Sequence, residues 1–247
     1  MISWHLNNIH ASIVSPFHSV NKMSQTEIKI CGLSTIESVS AVISGGADYM
    51  GLIFFEKSPR NVSVLQAKKL SNFAGSALKK VAVTVNATDE FLDQIVEAMQ
   101  PDFIQLHGSE TIERCLEVKK RYGIKVVKAF AITDDVDLQK SNVYVDGVDK
   151  FLFDAKAPKA SQLPGGNGVS FDWKLLSKFV SAKPYMLSGG IDELNVINAL
   201  KISGAKAIDL SSGVEASPGV KDIEKIKNLI KVIREYDTEH IKDTKKF

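Results

Sequence analysis

From Glu27 onward one pattern recurs along the chain. A short β-rich run ends in a polar or small residue, and a segment of helical period follows. The strand-like runs are 28–31, 49–55, 80–85, 103–106, 124–130, 150–153, 184–187 and 206–210. The helical segments between and after them are 35–45, 62–73, 88–99, 109–122, 134–140, 171–180, 192–203 and 222–236. Unbroken βα alternation implies a parallel sheet. Eight such units in about 220 residues fit a single-domain α/β fold, the (β/α)₈ TIM barrel, in which every strand's C-terminal end faces one mouth. An open doubly wound sheet is the alternative. It would usually carry a G-x-G-x-x-G turn after its first strand, and Cys31-Gly32-Leu33-Ser34 is not one.

The barrel reading assigns residues 26–237 to the domain. Residues 1–25 hold no acid, one base (Lys22) and three of the five histidines. They lack the continuous apolar run of a secretory signal and the arginines of a transit peptide. They are read as an N-terminal extension outside the fold, either a solvated tail, an upstream start or a targeting segment. Residues 238–247 read as a charged tail that frays. A net charge of +2 with no basic, aromatic-interleaved cluster gives no support to nucleic-acid binding. No apolar run reaches the roughly 18 residues of a membrane span. The two cysteines, Cys31 and Cys115, are too few for a disulfide scaffold and suit a reducing compartment.

The last three strand ends lead into small-residue loops: Gly165-Gly166-Asn167-Gly168, Ser188-Gly189-Gly190 and Ser211-Ser212-Gly213. A phosphate needs several backbone N–H groups converging on it, and residues without a Cβ let the backbone come close. Barrels often carry such a site after their seventh and eighth strands. One loop alone would read as a turn. Three at matching strand ends point to phosphate binding by Gly165, Gly166, Gly168, Gly189, Gly190, Ser211, Ser212 and Gly213.

Cys31 ends the first strand and Asp154 the sixth. A thiolate and a carboxylic acid facing each other suit proton transfer, one taking a proton from carbon and the other giving one to oxygen. A thiol works as a base if a cation or dipole depresses its pKa, and Arg60, after the second strand, is a candidate cation or an anchor for an anionic substrate. Against this, a lone strand-end cysteine is commonly a small buried filler, and a lone aspartate a cap or ion pair. His107 ends the fourth strand as a ligand contact or a structural hydrogen bond. Cys115 lies mid-helix and reads as core.

Lys29-Ile30-Cys31-Gly32, the run Gly51 to Arg60 (GLIFFEKSPR), Gln105-Leu106-His107-Gly108, the run Asp209 to Glu215 (DLSSGVE) and the run Ser217 to Asp222 (SPGVKD), in that order, resemble the phosphoribosylanthranilate isomerases of tryptophan biosynthesis. The resemblance runs from about Glu27 to Ile233. Asn167 departs from it, since the family usually carries Thr or Ser there. The resemblance implies a barrel enzyme with neither metal nor cofactor, acting on a small molecule, with no nucleic-acid or membrane partner, as monomer or homodimer. It implies a cytoplasmic location, or a plastid in a plant. The reaction implied is the Amadori rearrangement of N-(5-phosphoribosyl)anthranilate to 1-(2-carboxyphenylamino)-1-deoxyribulose 5-phosphate. Asp154 would be the general acid and Cys31 the general base, with Arg60, His107 and Asp209 on the anthranilate end.

Two rivals remain at this stage. A Schiff-base aldolase or lyase needs an inward-facing buried lysine, and Lys128 is the candidate. A non-catalytic phosphosugar-binding barrel would use the glycines but not Cys31 and Asp154. Deleting residues 1–23 is expected to leave a folded, active barrel, checked by circular dichroism and turnover. Loss of soluble folding would refute the extension reading.

Overall fold

The computed structural model describes residues 25–157, 161 and 163–244. The segment 1–24, on which most of the N-terminal expectation falls, lies outside the described residues. Strands β1 (Glu27–Cys31), β2 (Tyr49–Phe54), β3 (Lys79–Thr84), β4 (Phe103–Leu106), β5 (Lys125–Ile132), β6 (Lys150–Ala155), β7 (Tyr185–Leu187) and β8 (Ala207–Leu210) form a closed barrel in sequence order. All neighbours are parallel, and β8 returns to β1 with Lys29 opposite Asp209. Helices α1 (Ile36–Gly45), α2 (Val64–Ala74), α3 (Asp89–Met99), α4 (Ile112–Tyr122), α5 (Asp135–Lys140), α6 (Lys174–Ser177), α7 (Val196–Ser203) and α8 (Ile223–Thr244) follow the strands. Two short strands, β9 (Glu215–Ser217) and β10 (Val220–Lys221), make a ribbon between β8 and α8.

Because side chains alternate along a strand, each strand feeds two cores. Ile28 and Ile30 of β1 face the helices, in the main apolar cluster. Cys31, Tyr49, Val81, Phe103, Leu152 and Met186 face inward and fill the barrel. At the N-terminal end of the barrel the filling is polar. Tyr49 Oη donates to Glu27 Oε1 at 2.8 Å, and Lys150 Nζ donates to Glu27 and, at 3.3 Å, to Tyr49 Oη. Burial, reinforced by Glu27, pushes the Tyr49 phenol well above its ordinary pKa, so it stays a donor.

Several boundaries differ from the sequence reading for local reasons. Thr111, not Ser109, caps α4, accepting from Arg114 N at 3.3 Å. Ser109 instead gives its N–H to Asn86 Oδ1 at 2.9 Å. The sixth helix shrinks to Lys174–Ser177. Its first residue follows Trp173, and no side chain caps α6, so only one turn of the expected helix forms. The seventh begins at Val196 because Asp192 Oδ1 accepts from Leu194 N and Asn195 N, an Asx turn that holds 192–195 out of the helix. The final helix does not stop near Tyr236 but continues to Thr244. Among the described residues no helix is long and apolar enough to cross a membrane.

The extra length of α8 carries a clamp. Asp237 accepts from Thr26 N at 3.0 Å and Thr26 Oγ1 at 2.7 Å. Arg234 donates to Thr26 O, Gly46 O and Asp48 Oδ2 at 2.7–3.0 Å. The last helix thus grips the residue before β1 and the turn after α1. Replacing Asp237 with Ala strands these buried donors and is expected to cost about 2–4 kcal/mol. Urea unfolding of the variant, with an unchanged m-value, checks this.

Candidate active site

The C-terminal mouth of the barrel opens on a cavity walled by strand ends β1, β4, β6 and β8 and by the loops after β2, β6 and β7. Of the acid, base, substrate-binding and phosphate-binding residues expected from sequence, only Ser212 and Gly213 do not line it. The fold has therefore gathered candidates from seven separate loops and strand ends onto one surface.

Asp154, 4% exposed, sits near the end of β6, where alternation turns it inward. Its Oδ1 accepts from Ala155 N at 2.9 Å, and its Oδ2 faces His107 Nε2 at 3.5 Å. Gln105 Nε2 lies 2.9 Å from the other imidazole nitrogen, Nδ1. With the amide donating there, the neutral ring carries its proton on Nε2, the atom facing Asp154. A Cβ on Gly165 would lie 2.5 Å from Asp154 Oδ2 and 2.7 Å from His107 Nε2. One on Gly189, at φ +93°, would lie 2.7 Å from Ala155 N. Only glycine lets loops six and seven close over this pair.

Cys31, 5% exposed, ends β1. Gly51 stands opposite it in register, and a Cβ there would sit 2.8 Å from Sγ and 3.1 Å from Lys29 Cε. Burial pushes the thiol above its ordinary pKa. Lys29 and Lys221 pull it down, and Asp209 adds to the rise. The cations acting on the thiol are thus Lys29 and Lys221, where the sequence offered Arg60. Lys29 is fully buried and donates to Asp209 Oδ1 at 2.9 Å. Burial pushes its ammonium toward neutrality, but Asp209 and then Cys31 outweigh it and hold the pKa above the ordinary value.

Arg60 packs its stem over Gly32, where a Cβ would meet Arg60 Cδ at 2.7 Å. Gly32, at φ +76°, makes room for Arg60 rather than for a ligand beside the thiol. The guanidinium binds Glu215 with two bonds, Nε to Oε1 at 2.8 Å and Nη2 to Oε2 at 2.9 Å, and Nη2 reaches Gly166 O at 3.3 Å. Its Nη1 edge is left to meet a ligand. Lys221 Nζ joins the same carboxylate at 2.7 Å and also donates to Ser211 O at 2.9 Å. Glu215 and Lys221 stand inside the recognised motifs but were assigned no role from sequence. Lys29 could have been found there, as a charge at an inward position of a buried strand.

Loops six, seven and eight touch one another. A Cβ on Gly190 would meet Val169 and Ser170 backbone within 2.9 Å, and one on Gly213 would meet Ile191 O at 2.0 Å. Among the described residues the N–H groups of Gly168, Gly189 and Gly190 donate to no protein acceptor. Ser211 Oγ, by contrast, donates to Cys31 O at 3.1 Å. Asn167 bonds within its own loop, to Ser161 Oγ at 2.6 Å and Leu163 O at 3.2 Å. Among the described residues no group of three or more His, Cys, Asp or Glu side chains is placed to hold a metal ion.

Burial pushes the Glu215 carboxyl up, but the bonds from Arg60 and the charge of Lys221 prevail and hold it below the ordinary carboxylate value. A depressed folded pKa stabilises the protein above the unfolded value and loses that contribution as pH falls through the folded one. Glu215→Gln leaves two buried cations without their anion and is expected to cost on the order of 3 kcal/mol near neutrality. In urea unfolding the gap to the parent should close as pH falls through the carboxylate range. A gap constant with pH would mean that shape, not charge, holds the cluster.

Residues 28–232 match the family described as PRAI, N-(5'phosphoribosyl)anthranilate (PRA) isomerase. The N-(5'-phosphoribosyl)anthranilate isomerase of Mesorhizobium japonicum is 50% identical over 208 residues, covering 84% of this chain and 95% of its own. That of Rhizobium meliloti is 49% identical over 210 residues, covering 85% and 98%. Phosphoribosyl anthranilate isomerase from Thermotoga maritima superposes with a TM-score of 0.75 at 32% identity, covering 85% of this chain and 100% of that one. A phosphoribosyl anthranilate isomerase in complex with reduced 1-(o-carboxyphenylamino)-1-deoxyribulose 5-phosphate superposes with a TM-score of 0.73 at 31% identity, again covering 85% and 100%. With a profile spanning the whole barrel and relatives sharing half its residues, the chain belongs to the N-(5'-phosphoribosyl)anthranilate isomerase family.

Proposed function

We propose that this chain catalyses the Amadori rearrangement of N-(5-phosphoribosyl)anthranilate, with Asp154 as general acid and Cys31 as general base. The observation that carries the assignment is that a buried carboxyl and a buried thiol, from β6 and β1, line one cavity whose far rim is made of glycine loops. The N–H groups of Gly168, Gly189 and Gly190 suit the 5′-phosphate, together with the backbone of Gly165, Gly166, Ser211, Ser212 and Gly213. Phosphate binding energy there orients a reacting carbon several bonds away. The Nη1 edge of Arg60 suits the anthranilate carboxylate, with His107 and Asp209 placing the ring and its nitrogen.

In this reading Asp154 gives its proton to the ribose ring oxygen, and the C1′–O bond breaks. The bond's electron pair goes to the protonated oxygen, and the lone pair of the anthranilate nitrogen forms the C1′=N bond of a Schiff-base cation. Cys31 takes the C2′ proton, giving an enolamine that tautomerises to the ketone. One Asp154 oxygen is held by Ala155 N–H, which leaves Oδ2 to exchange the proton. Bacterial relatives support a cytoplasmic enzyme, and a monomer or homodimer remains the assembly reading.

The lyase alternative loses its lysine. Lys128 faces the helix layer, where its Nζ donates to Leu106 O, Gly108 O and Ala129 O and pairs with Glu110. The inward lysines Lys29 and Lys150 are each bound by a carboxylate, Lys29 by Asp209 and Lys150 by Glu27 at the far end of the barrel.

Cys31→Ser and Asp154→Asn should each lower kcat on the order of 10²–10⁴, with product-analogue binding largely kept. Because the reaction needs Asp154 protonated and Cys31 ionised together, kcat/KM of the parent should be bell-shaped in pH, and each single variant should lose one limb of that profile. A fluorescence assay of phosphoribosylanthranilate consumption reads both. Near-parental turnover in either variant would overturn the assignment.

A further inference from the structure

Lys29 has no part in the proton transfers above, yet it is buried in the barrel directly below the thiol. Both residues project inward from β1, two positions apart. The point where a Gly51 Cβ would sit is 2.8 Å from Cys31 Sγ and 3.1 Å from Lys29 Cε, so the missing side chain brings sulfur and lysine stem together. An ammonium has three donors. Asp209 takes one at 2.9 Å, and the sulfur lies close enough for each group's charge to act on the other. A buried ion pair is a poor way to stabilise a barrel, since apolar residues of like volume do as well or better. Its position against a thiol gives it another use.

We propose that Lys29 is a positioning residue for Cys31: anchored by Asp209, its ammonium is the counter-ion against which the Cys31 thiolate forms. The proposal rests on Cys31 acting as the base. Six charged or titratable groups face or ring the sulfur: Lys29 from β1, Asp209 from β8, Lys221 from β10, and, around the cavity, Asp154, His107 and Arg60. Lys29 and Asp209 push the thiol in opposite directions, Lys29 favouring the thiolate and Asp209 opposing it. When the thiolate takes the C2′ proton, the Lys29–Asp209 pair is unchanged, and the thiol then returns its proton to solvent through the cavity.

The test follows alkylation of Cys31 by iodoacetamide against pH, with the modified peptide quantified by mass spectrometry so that Cys115 does not contribute. Lys29→Met should move the ionisation midpoint up by one unit or more, slowing alkylation near neutrality about tenfold. Lys29→Arg should keep the midpoint near that of the parent. Asp209→Asn should move it down, and the Lys29→Met/Asp209→Asn pair should fall between the single variants. The limb of the kcat/KM profile governed by the thiol should track the alkylation midpoint in Lys29→Met and Lys29→Arg. A merely structural lysine would lower thermal stability without these opposed shifts. An unmoved midpoint in Lys29→Met overturns the proposal. Should that variant not fold, an upward or null shift in Asp209→Asn overturns it equally. Alkylation reads the thiolate whether or not Cys31 is the base. Full turnover in Cys31→Ser would therefore sink the base assignment alone.

Discussion

The ion pair between Lys29 and Asp209 crosses the seam where the barrel closes. The two residues are register partners on β1 and β8, the first and last strands to be joined. Slipping that register by one residue would turn the charges into the helix layer and bring Ile28 and Ile30 inward. Both charges are costly to bury alone, so a misclosed barrel is penalised twice. The same pair lies beneath the thiol at the mouth. The contact that closes the ring thus also sets the electrostatics on which the site depends.

Above the seam the mouth is assembled by close backbone approach. Loops six, seven and eight each use a glycine where a Cβ would collide with a neighbouring loop or with Asp154. Chemistry and rigidity are coupled there, because the residues that leave N–H groups free for an anion also hold the acid in place. On the opposite side the Glu215 carboxylate ties together Arg60, Lys221 and the N–H of Gly219. This joins the loop after β2 to the β9–β10 ribbon, so Arg60 reaches the cavity as a fixed side chain.

The βα repeat was legible because hydrophobic periodicity and strand-end turn residues are local signals, and the barrel followed from counting units. Cys31, Asp154 and His107 were legible at strand ends and Arg60 in the loop after the second strand, Asp209 entered through the family resemblance, and the structure brings all five to one cavity. What was not legible is pairing across the fold. Glu215 as partner of Arg60 is separated from it by 155 positions, and Asp209 as partner of Lys29 by 180. Gly32 illustrates the limit. Its lack of a Cβ was evident, but that the space accommodates an arginine stem depends on where the second loop returns. The sixth helix shrank for a local reason, since no side chain caps its start.

A thiol whose pKa is raised by burial looks poorly suited to act as a base, and the order of steps resolves this. In the proposed mechanism the acid acts first. Until Asp154 has protonated the ring oxygen there is no Schiff-base cation, and the C2′ proton is held too firmly for a modest base. Ring opening places a positive charge beside the cavity wall. That charge makes C2′–H more acidic and favours the thiolate at once, because an adjacent cation lowers a thiol pKa. A thiol kept mainly protonated beforehand is protected from oxidation and alkylation. In the Lys29–Asp209 pair, Lys29 pulls the thiol toward ionisation and Asp209 pushes it back. The substrate's own cation then supplies the remaining bias when the proton is to move.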